Sequence, residues 1–203
     1  MSGKGLLLVI SGPAGSGKGT VIKSLMEKSD AFAYSVSATT RAPRPGEVNG
    51  VNYHYITRED FEDRIKNGGM LEHTSYCGNY YGTPKKEAEE VLESGRNLIL
   101  EIEVEGAENV KKLYPEAVLI MLLPPSFAVQ EARLRGRGTE PEEKILERLS
   151  RTKEEIPRVV NYDYIVYNYD GGAEYTAEDI ISIVRAEKLR QSRNDQAAKK
   201  YFE

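Results

Sequence analysis

The segment Gly12-Pro13-Ala14-Gly15-Ser16-Gly17-Lys18-Gly19-Thr20 constrains this chain more than any other. It follows a short continuous apolar run, Leu6 to Ile10, suited to a buried parallel strand. It precedes a helical pattern that sets Val21, Ile22, Leu25 and Met26 on one face. Glycines let the backbone wrap a polyphosphate with its N–H groups turned inward. The helix N-terminus adds partial positive charge, and Lys18 adds a full one. A phosphate cradle between strand and helix implies a P-loop type of α/β fold. One position departs from the common pattern. Ser or Thr usually follows the lysine and binds Mg²⁺, whereas here Gly19 follows and the hydroxyl comes at Thr20.

Strand and helix patterns alternate along the chain, which favours a parallel sheet with helices on both faces. Leu98 to Val104 reads as a second buried strand, Val118 to Leu123 as a third and Tyr164 to Val166 as a fourth. On the second strand, Leu98, Leu100, Ile102 and Val104 share one side, and Glu101 and Glu103 the other. Both carboxylates are then expected near the C-terminal end of the strand, where such sheets open their binding crevice. Pro124-Pro125-Ser126 starts a helix running to about Arg135. Thr139 with Glu142 resembles a capping box, and Pro141 fits the first turn of a further helix. Thr176 is expected to open a C-terminal helix with Ile180, Ile181 and Val184 inward, and Arg190 to Lys200 to fray. Residues 34–96 change character: turn signals at Pro45-Gly46 and Asn49-Gly50, a short helix around Phe61 and Ile65, and tyrosines at 76, 80 and 81. They read as an inserted α+β subdomain facing the phosphate cradle.

Composition narrows the function. Across 203 residues the net charge is only −4, so nothing in the composition suggests a general nucleic-acid or anionic-membrane surface. Positive charge is local instead, at Arg41 and Arg44 and again at Arg133, Arg135, Arg137, Arg148 and Arg151. Two arginine clusters in an acidic chain are built for small anions. Cys77 is the single cysteine, so no intrachain disulfide forms; it reads as a tolerated loop thiol in a reducing compartment. Without a leader pattern or a run of membrane-spanning length, the expectation is a soluble, cytoplasmic protein.

Ser35-Val36-Ser37-Ala38-Thr39-Thr40-Arg41-Ala42-Pro43-Arg44-Pro45-Gly46-Glu47, then Gly50, Tyr53, Glu72 and Gly78-Asn79-Tyr80-Tyr81-Gly82-Thr83, resembles the guanylate kinase family. The likeness runs from the phosphate loop through Arg137-Gly138-Thr139-Glu140 to Asn168. It implies transfer of the γ-phosphoryl group of ATP to GMP with Mg²⁺, and a core (1–33, 97–135, 157–203) with a GMP-binding insert (34–96) and a mobile lid (136–156). Small-molecule substrates are the implied partners, in a monomer or a homo-oligomer.

By the same resemblance, Gly12 to Thr20 with Arg133, Arg137 and Asn168 form the ATP site. Ser37, Arg41, Arg44, Tyr53 and Tyr81 hold the GMP phosphate, and Glu72, Thr83 and Glu103 read its base. Many family members carry Asp at the place of Glu103. Thr20 and, through water, Glu101 are the implied metal contacts; Lys18, Arg41, Arg137 and Arg148 are the implied catalytic cations. Phosphoryl transfer to an ionised phosphate needs no general base, so His54 and His73 read as structural. Two rivals stand beside this reading: a non-catalytic phosphopeptide-binding module of the same fold, and a monophosphate kinase with another base preference.

Overall fold

The computed structural model describes residues 3–76, 78–138, 140–194, 196–197 and 201; Cys77 and the Thr139 of the expected capping box lie outside them. In chain order the elements are β1 (Leu7–Ser11), α1 (Lys18–Lys28), β2 (Phe32–Tyr34), β3 (Ala38–Thr39), β4 (His54–Tyr55), α2 (Arg58–Lys66), β5 (Met70–Tyr76) and β6 (Asn79–Pro84). They continue with α3 (Lys85–Glu93), β7 (Asn97–Glu101), α4 (Val104–Leu113), β8 (Val118–Leu123), α5 (Phe127–Gly136), α6 (Glu142–Glu155), β9 (Tyr164–Tyr167) and α7 (Ala173–Leu189).

Five parallel strands form the central sheet in the order β2-β7-β1-β8-β9. Apolar runs without polar alternation suit strands covered on both faces. Leu8 and Ile10 of β1, with Ile99, Ile120 and Leu122, pack under α1 and α7. Leu7 and Val9, with Leu98, Leu100 and Leu119, pack under α3 and α4. After β1 the chain moves toward β2 on one side, while β7 leads across β1 to β8 on the other. The Gly12–Gly17 loop therefore sits at the reversal of strand order, where open α/β sheets leave a crevice.

A separate four-stranded sheet, β4-β3-β6-β5, spans 38–84. Its β5–β6 hairpin pairs Glu72 with Thr83 and Thr74 with Tyr81. Helix α2 is capped by the Thr57 hydroxyl, which accepts from the Asp60 amide at 3.1 Å. It buries Phe61, whose ring stacks on Tyr80 with centroids 5.2 Å apart. Helices α5 and α6 close on a third, small cluster of Leu134, Ile145 and Leu149 against Ala14 of the phosphate loop.

Three boundaries differ from the sequence reading by more than one residue. Strand β7 ends at Glu101, and Val104 opens α4, so Glu103 precedes a helix and does not extend the strand. The alternation Leu-Ile-Leu-Glu-Ile-Glu-Val carries no stop signal, and the break at Glu101 comes from β7's partner, since β1 pairs no further than Ile10↔Glu101. Helix α7 begins at Ala173, and Thr176 sits within its first turn, donating to the carbonyls of Gly172 and Tyr167. Past α7 the chain is tied rather than frayed as far as Arg193, which donates to Glu116 O at 2.8 Å and to Glu187. No helix among the described residues is long and apolar enough to cross a membrane.

Candidate active site

Gly12 can be nothing larger, because a Cβ there would collide with the Leu122 carbonyl of the adjacent strand. Gly17 takes a left-handed conformation (φ 89°, ψ 23°) and turns the loop into α1. The Ser16 amide is spent on Pro13 O at 3.1 Å, and the first helical bond runs from the Val21 amide to Gly17 O. The amides of Lys18, Gly19 and Thr20 therefore belong to the unpaired first turn and face the crevice with the positive end of the helix dipole. Lys18 folds over the loop, donating to Gly12 O at 2.6 Å and to Pro13 O at 3.4 Å. Burial holds its ammonium below the ordinary lysine range, while Glu101, Glu103 and Glu155 oppose that shift and Arg137 adds to it. A phosphate would offer this lysine better acceptors than two carbonyls.

Beside the loop opens a cleft of about 760 Å³ lined by Gly15, Gly17, Thr20, Arg133, Arg137 and Asn168 among others. Asn168 closes β9 and donates its amide to Ser16 O at 2.8 Å. Arg133 on α5 is fixed by Asp170 (2.7 Å), by Asn168 O (2.8 Å) and by Gly15 O (3.3 Å). Gln130 braces the same loop, donating to Ala14 O at 2.9 Å and to the Thr152 hydroxyl of α6 at 2.7 Å. Arg137, an exposed residue, caps α5 at the mouth of this cleft. Arg148 is not in the cleft lining; its Nη2 meets Glu140 at 2.6 Å.

On the four-stranded sheet, Arg41 is held end-on by Glu47. Its Nη1 meets Oε2 and its Nη2 meets Oε1, each at 3.0 Å, and Nη1 also meets Ala42 O at 2.7 Å. The Arg41 guanidinium also lies within hydrogen-bonding reach of the Tyr81 hydroxyl. Glu47 further accepts from the Arg44 amide at 2.7 Å and the Tyr55 hydroxyl at 2.8 Å. Those donors, Arg41 foremost, lower its carboxyl to about 2. The Arg41 guanidinium stands 5.5 Å from the Tyr53 ring and 5.8 Å from that of Tyr55. Tyr53 meets Tyr81 edge-on at 6.0 Å. The Arg44 side chain is exposed, and the carbonyl of Ser37 receives the His54 amide at 2.8 Å.

Glu72 is buried, 4% exposed, and accepts from the Thr83 hydroxyl at 2.8 Å. Burial raises its carboxyl above the ordinary range, against the pull of the Thr83 bonds. A Cβ placed on Gly106, at the first turn of α4, would lie 3.8 Å from its Oε2, so the carboxylate points at that helix end. Glu101 accepts from the Tyr34 hydroxyl at 3.3 Å, and Glu103 from Arg151 at 2.6 Å.

Sequence reasoning assigned no role to Glu47, Asp170, Gln130 or Glu155. Glu47 stands three residues after Arg44 in the same turn, a spacing that pairs it with the arginines. Asp170 and Gln130 carry no local signal, because their partners are 22 to 116 residues away; Glu155 stands one helical turn after Arg151, but its approach to Lys18 and Glu103 is made only by folding.

A family model described as guanylate kinase matches residues 4–187. A guanylate kinase of Shouchella clausii is 50% identical over 98% of this chain and 95% of its own length. One from Clostridioides difficile is 48% identical over 94% of this chain and 92% of its own. Among solved structures, the guanylate kinase of Anaplasma phagocytophilum superposes with a TM-score of 0.74 at 33% identity, covering 94% of this chain and 90% of that one. The phosphate loop, the caged arginine and the buried carboxylate thus stand on a fold and a sequence shared along nearly the whole chain, which belongs to the guanylate kinase family.

Proposed function

We propose that this chain transfers the γ-phosphoryl group of ATP to GMP or dGMP, giving ADP and the guanosine diphosphate. The observation that carries the reading is Glu72, a carboxylate buried beside Thr83 and aimed at the end of α4. Guanine offers a carboxylate two donors, at N1 and N2, and offers the Thr83 hydroxyl an acceptor at O6. Adenine would set an unprotonated N1 against Glu72 and leave a buried charge unpaired. Sites that read hydrogen bonds in this way discriminate by about 10⁴-fold or more. The acceptor phosphate would lie against the Arg41 guanidinium beside Tyr81, with Arg44, Ser37 and Tyr53 completing its shell. Glu103 would contact the base from the opposite side.

The donor phosphates would lie on the loop from Gly12 to Thr20, with Arg133, Arg137 and Asn168 along the ATP cleft. Lys18 would turn from Gly12 O to the phosphate chain. Catalysis then consists of aligning two anions and balancing charge on the moving group, shared by Lys18, Arg41, Arg137 and Arg148. The Thr20 hydroxyl on the first turn of α1 and the Glu101 carboxylate at the end of β7 are oxygen donors that suit Mg²⁺ bound mainly by water and phosphate, and no group of three His, Cys, Asp or Glu side chains poised for a metal exists among the described residues. Thr20 and Glu101 would hold it, through water for Glu101, and it would neutralise phosphate charge. The proposed division is a core (1–33, 97–135, 157–203), an acceptor insert (34–96) and a lid (136–156). In that lid, Arg137 between Gly136 and Gly138 would close over ATP and exclude water.

ADP release from ATP, measured with GMP, dGMP, AMP, UMP and CMP as acceptors, tests the reading. Turnover is expected with the two guanine nucleotides and is expected to vanish in Lys18→Ala, which still binds GMP. A chain that binds GMP without releasing ADP would instead be a binding module.

A further inference from the structure

Glu103 immediately precedes α4 with extended backbone (φ −68°, ψ 162°), the setting of a helix-capping residue, yet its carboxylate makes no bond to the first amides of the helix. A side chain one methylene shorter could fold back onto those amides; the glutamate carboxylate is carried past them. It reaches outward instead. Glu103 Oε2 accepts from Arg151 Nη2 at 2.6 Å, across 48 residues of sequence. Arg151 lies on α6, where its Nε meets Glu155 Oε1 one turn on at 3.2 Å. Glu155 is 14% exposed and close enough to Lys18 and Glu103 to feel both charges. One guanidinium thus joins the residue before α4 to a helix that closes over the phosphate loop.

Exposed as it is, 43% at Arg151 and 62% at Glu103, the pair is screened by water and adds little to folding stability. Its consequence is geometric. One carboxylate oxygen is fixed by α6, and the other, Oε1, is left to meet a ligand. The helix that fixes it also carries Arg148 and, through Thr152 and Gln130, leans on the phosphate loop.

We propose that Arg151 is a positioning residue for acceptor recognition: it orients Glu103 and ties it to α6, so that acceptor and donor binding reinforce one another. The proposal rests on the reading of Glu103 as a contact to the acceptor base. Reinforcement of this kind is reciprocal, each ligand raising the affinity for the other by the same factor.

Calorimetric titration of GMP, with and without a non-hydrolysable ATP analogue, tests it on the wild type, Arg151→Gln, Glu103→Ala and the double variant. Arg151→Gln is expected to weaken GMP by about fivefold and to bring the donor–acceptor coupling close to unity. The analogue alone should bind as to the wild type, and the melting temperature should stay within about 2 °C, as for other exposed pairs. In the Glu103→Ala background the second substitution should change nothing. Independent, multiplying effects of the two substitutions, or an equal loss of analogue affinity in Arg151→Gln, would overturn the tie. So would Glu103→Ala weakening GMP while Arg151→Gln leaves it untouched. If Glu103→Ala itself leaves GMP binding unchanged, the base contact is what fails, and the tie falls with it.

Discussion

Two carboxylates on the four-stranded sheet are set apart by their surroundings. Glu72 is raised by burial, and Glu47 is lowered by Arg41 and the Arg44 amide. A carboxyl whose folded-state pKa exceeds its unfolded value contributes to folding in full below the unfolded value, and that contribution is lost progressively as pH rises through the folded one. At pH 7 the upward shift of Glu72 is therefore a cost to the ligand-free fold. Glu72→Gln is expected to melt higher than the wild type at pH 7, by about 2–4 °C for each kcal/mol removed in a chain of this size. The same variant should lose at least about tenfold of its preference for GMP over AMP, because the neutral amide no longer demands two donors. A lower melting point with unchanged preference would remove the base-reading role. In the wild type, acidification through the raised pKa should increase the KM for GMP beyond what titration of the acceptor phosphate, with its pKa near about 6, accounts for. Glu72→Gln should retain only the phosphate's share. Glu47 has the opposite sign: its depressed pKa gives a contribution present above the ordinary value of 4.5 and lost only as pH falls toward about 2. Across the working range it stays charged and keeps the end of Arg41 occupied. Glu47→Gln frees that end, and the KM for GMP is expected to rise by about tenfold, as for the loss of one charge-assisted bond, with the KM for ATP unmoved. An equal rise in both would show a general loss of structure.

At the scale of elements, the loop between β1 and α1 depends on one left-handed residue. Alanine at Gly17 would meet two separate penalties: strain at φ 89°, on the order of 1–3 kcal/mol, and a Cβ that collides with the Asn168 amide nitrogen. Asn168 would have to leave Ser16 O, loosening β9 from the loop. Gly17→Ala is expected to lower both melting temperature and kcat. Adding Asn168→Ala should recover part of the melting temperature, by removing the collision, but none of the kcat. Full recovery of kcat would mean that loop conformation is not what the glycine supplies. This loop was legible in the sequence because its information is local: a strand, the glycines, the lysine and an amphipathic face lie within one short run. The third strand, Val118 to Leu123, was legible for the same reason, being a buried run bounded by Pro124. The end of β7 was not, since register with β1 stops it, and no residue between Glu101 and Val104 marks the change. Glu101 and Glu103 consequently reach the neighbourhood of Lys18 from a strand end and a helix start, where alternation had placed them side by side on one strand. Long-range braces such as Gln130 to Ala14 and Arg133 to Asp170 were silent, because a glutamine or an aspartate on a surface pattern looks the same whether or not the fold brings it a partner.

Over the whole molecule, stability is unevenly spread, and that unevenness bears on catalysis. Strand β1 is buried along its full length, with Leu8, Val9 and Ile10 at 0% exposure and helices over both faces. The four-stranded sheet is thinner. Its β3 and β4 pair over two residues only, Val48 and Val51 are 56% and 65% exposed, and its anchors are Phe61 on Tyr80 and the buried Leu71. Regions with few buried apolar contacts open at lower free energy than the core that carries them. Hydrogen exchange should therefore rank the amides of β1, β7 and β8 slowest and those of 38–56 among the fastest in ordered structure. GMP alone should slow exchange in β3, β4, β5 and β6, because in the proposed binding mode its phosphate and base would bridge Arg41 and Glu72 across that sheet. An ATP analogue alone should protect 12–20 and α5 while leaving 38–56 nearly as before. Both ligands together should protect α6 beyond the sum of the two, since α6 reaches the acceptor side through Arg151 and the donor side through Thr152. Uniform slowing by either ligand would mean that the molecule responds as one rigid body. In that case closure around the two anions could not arise from a stable sheet carrying a compliant one.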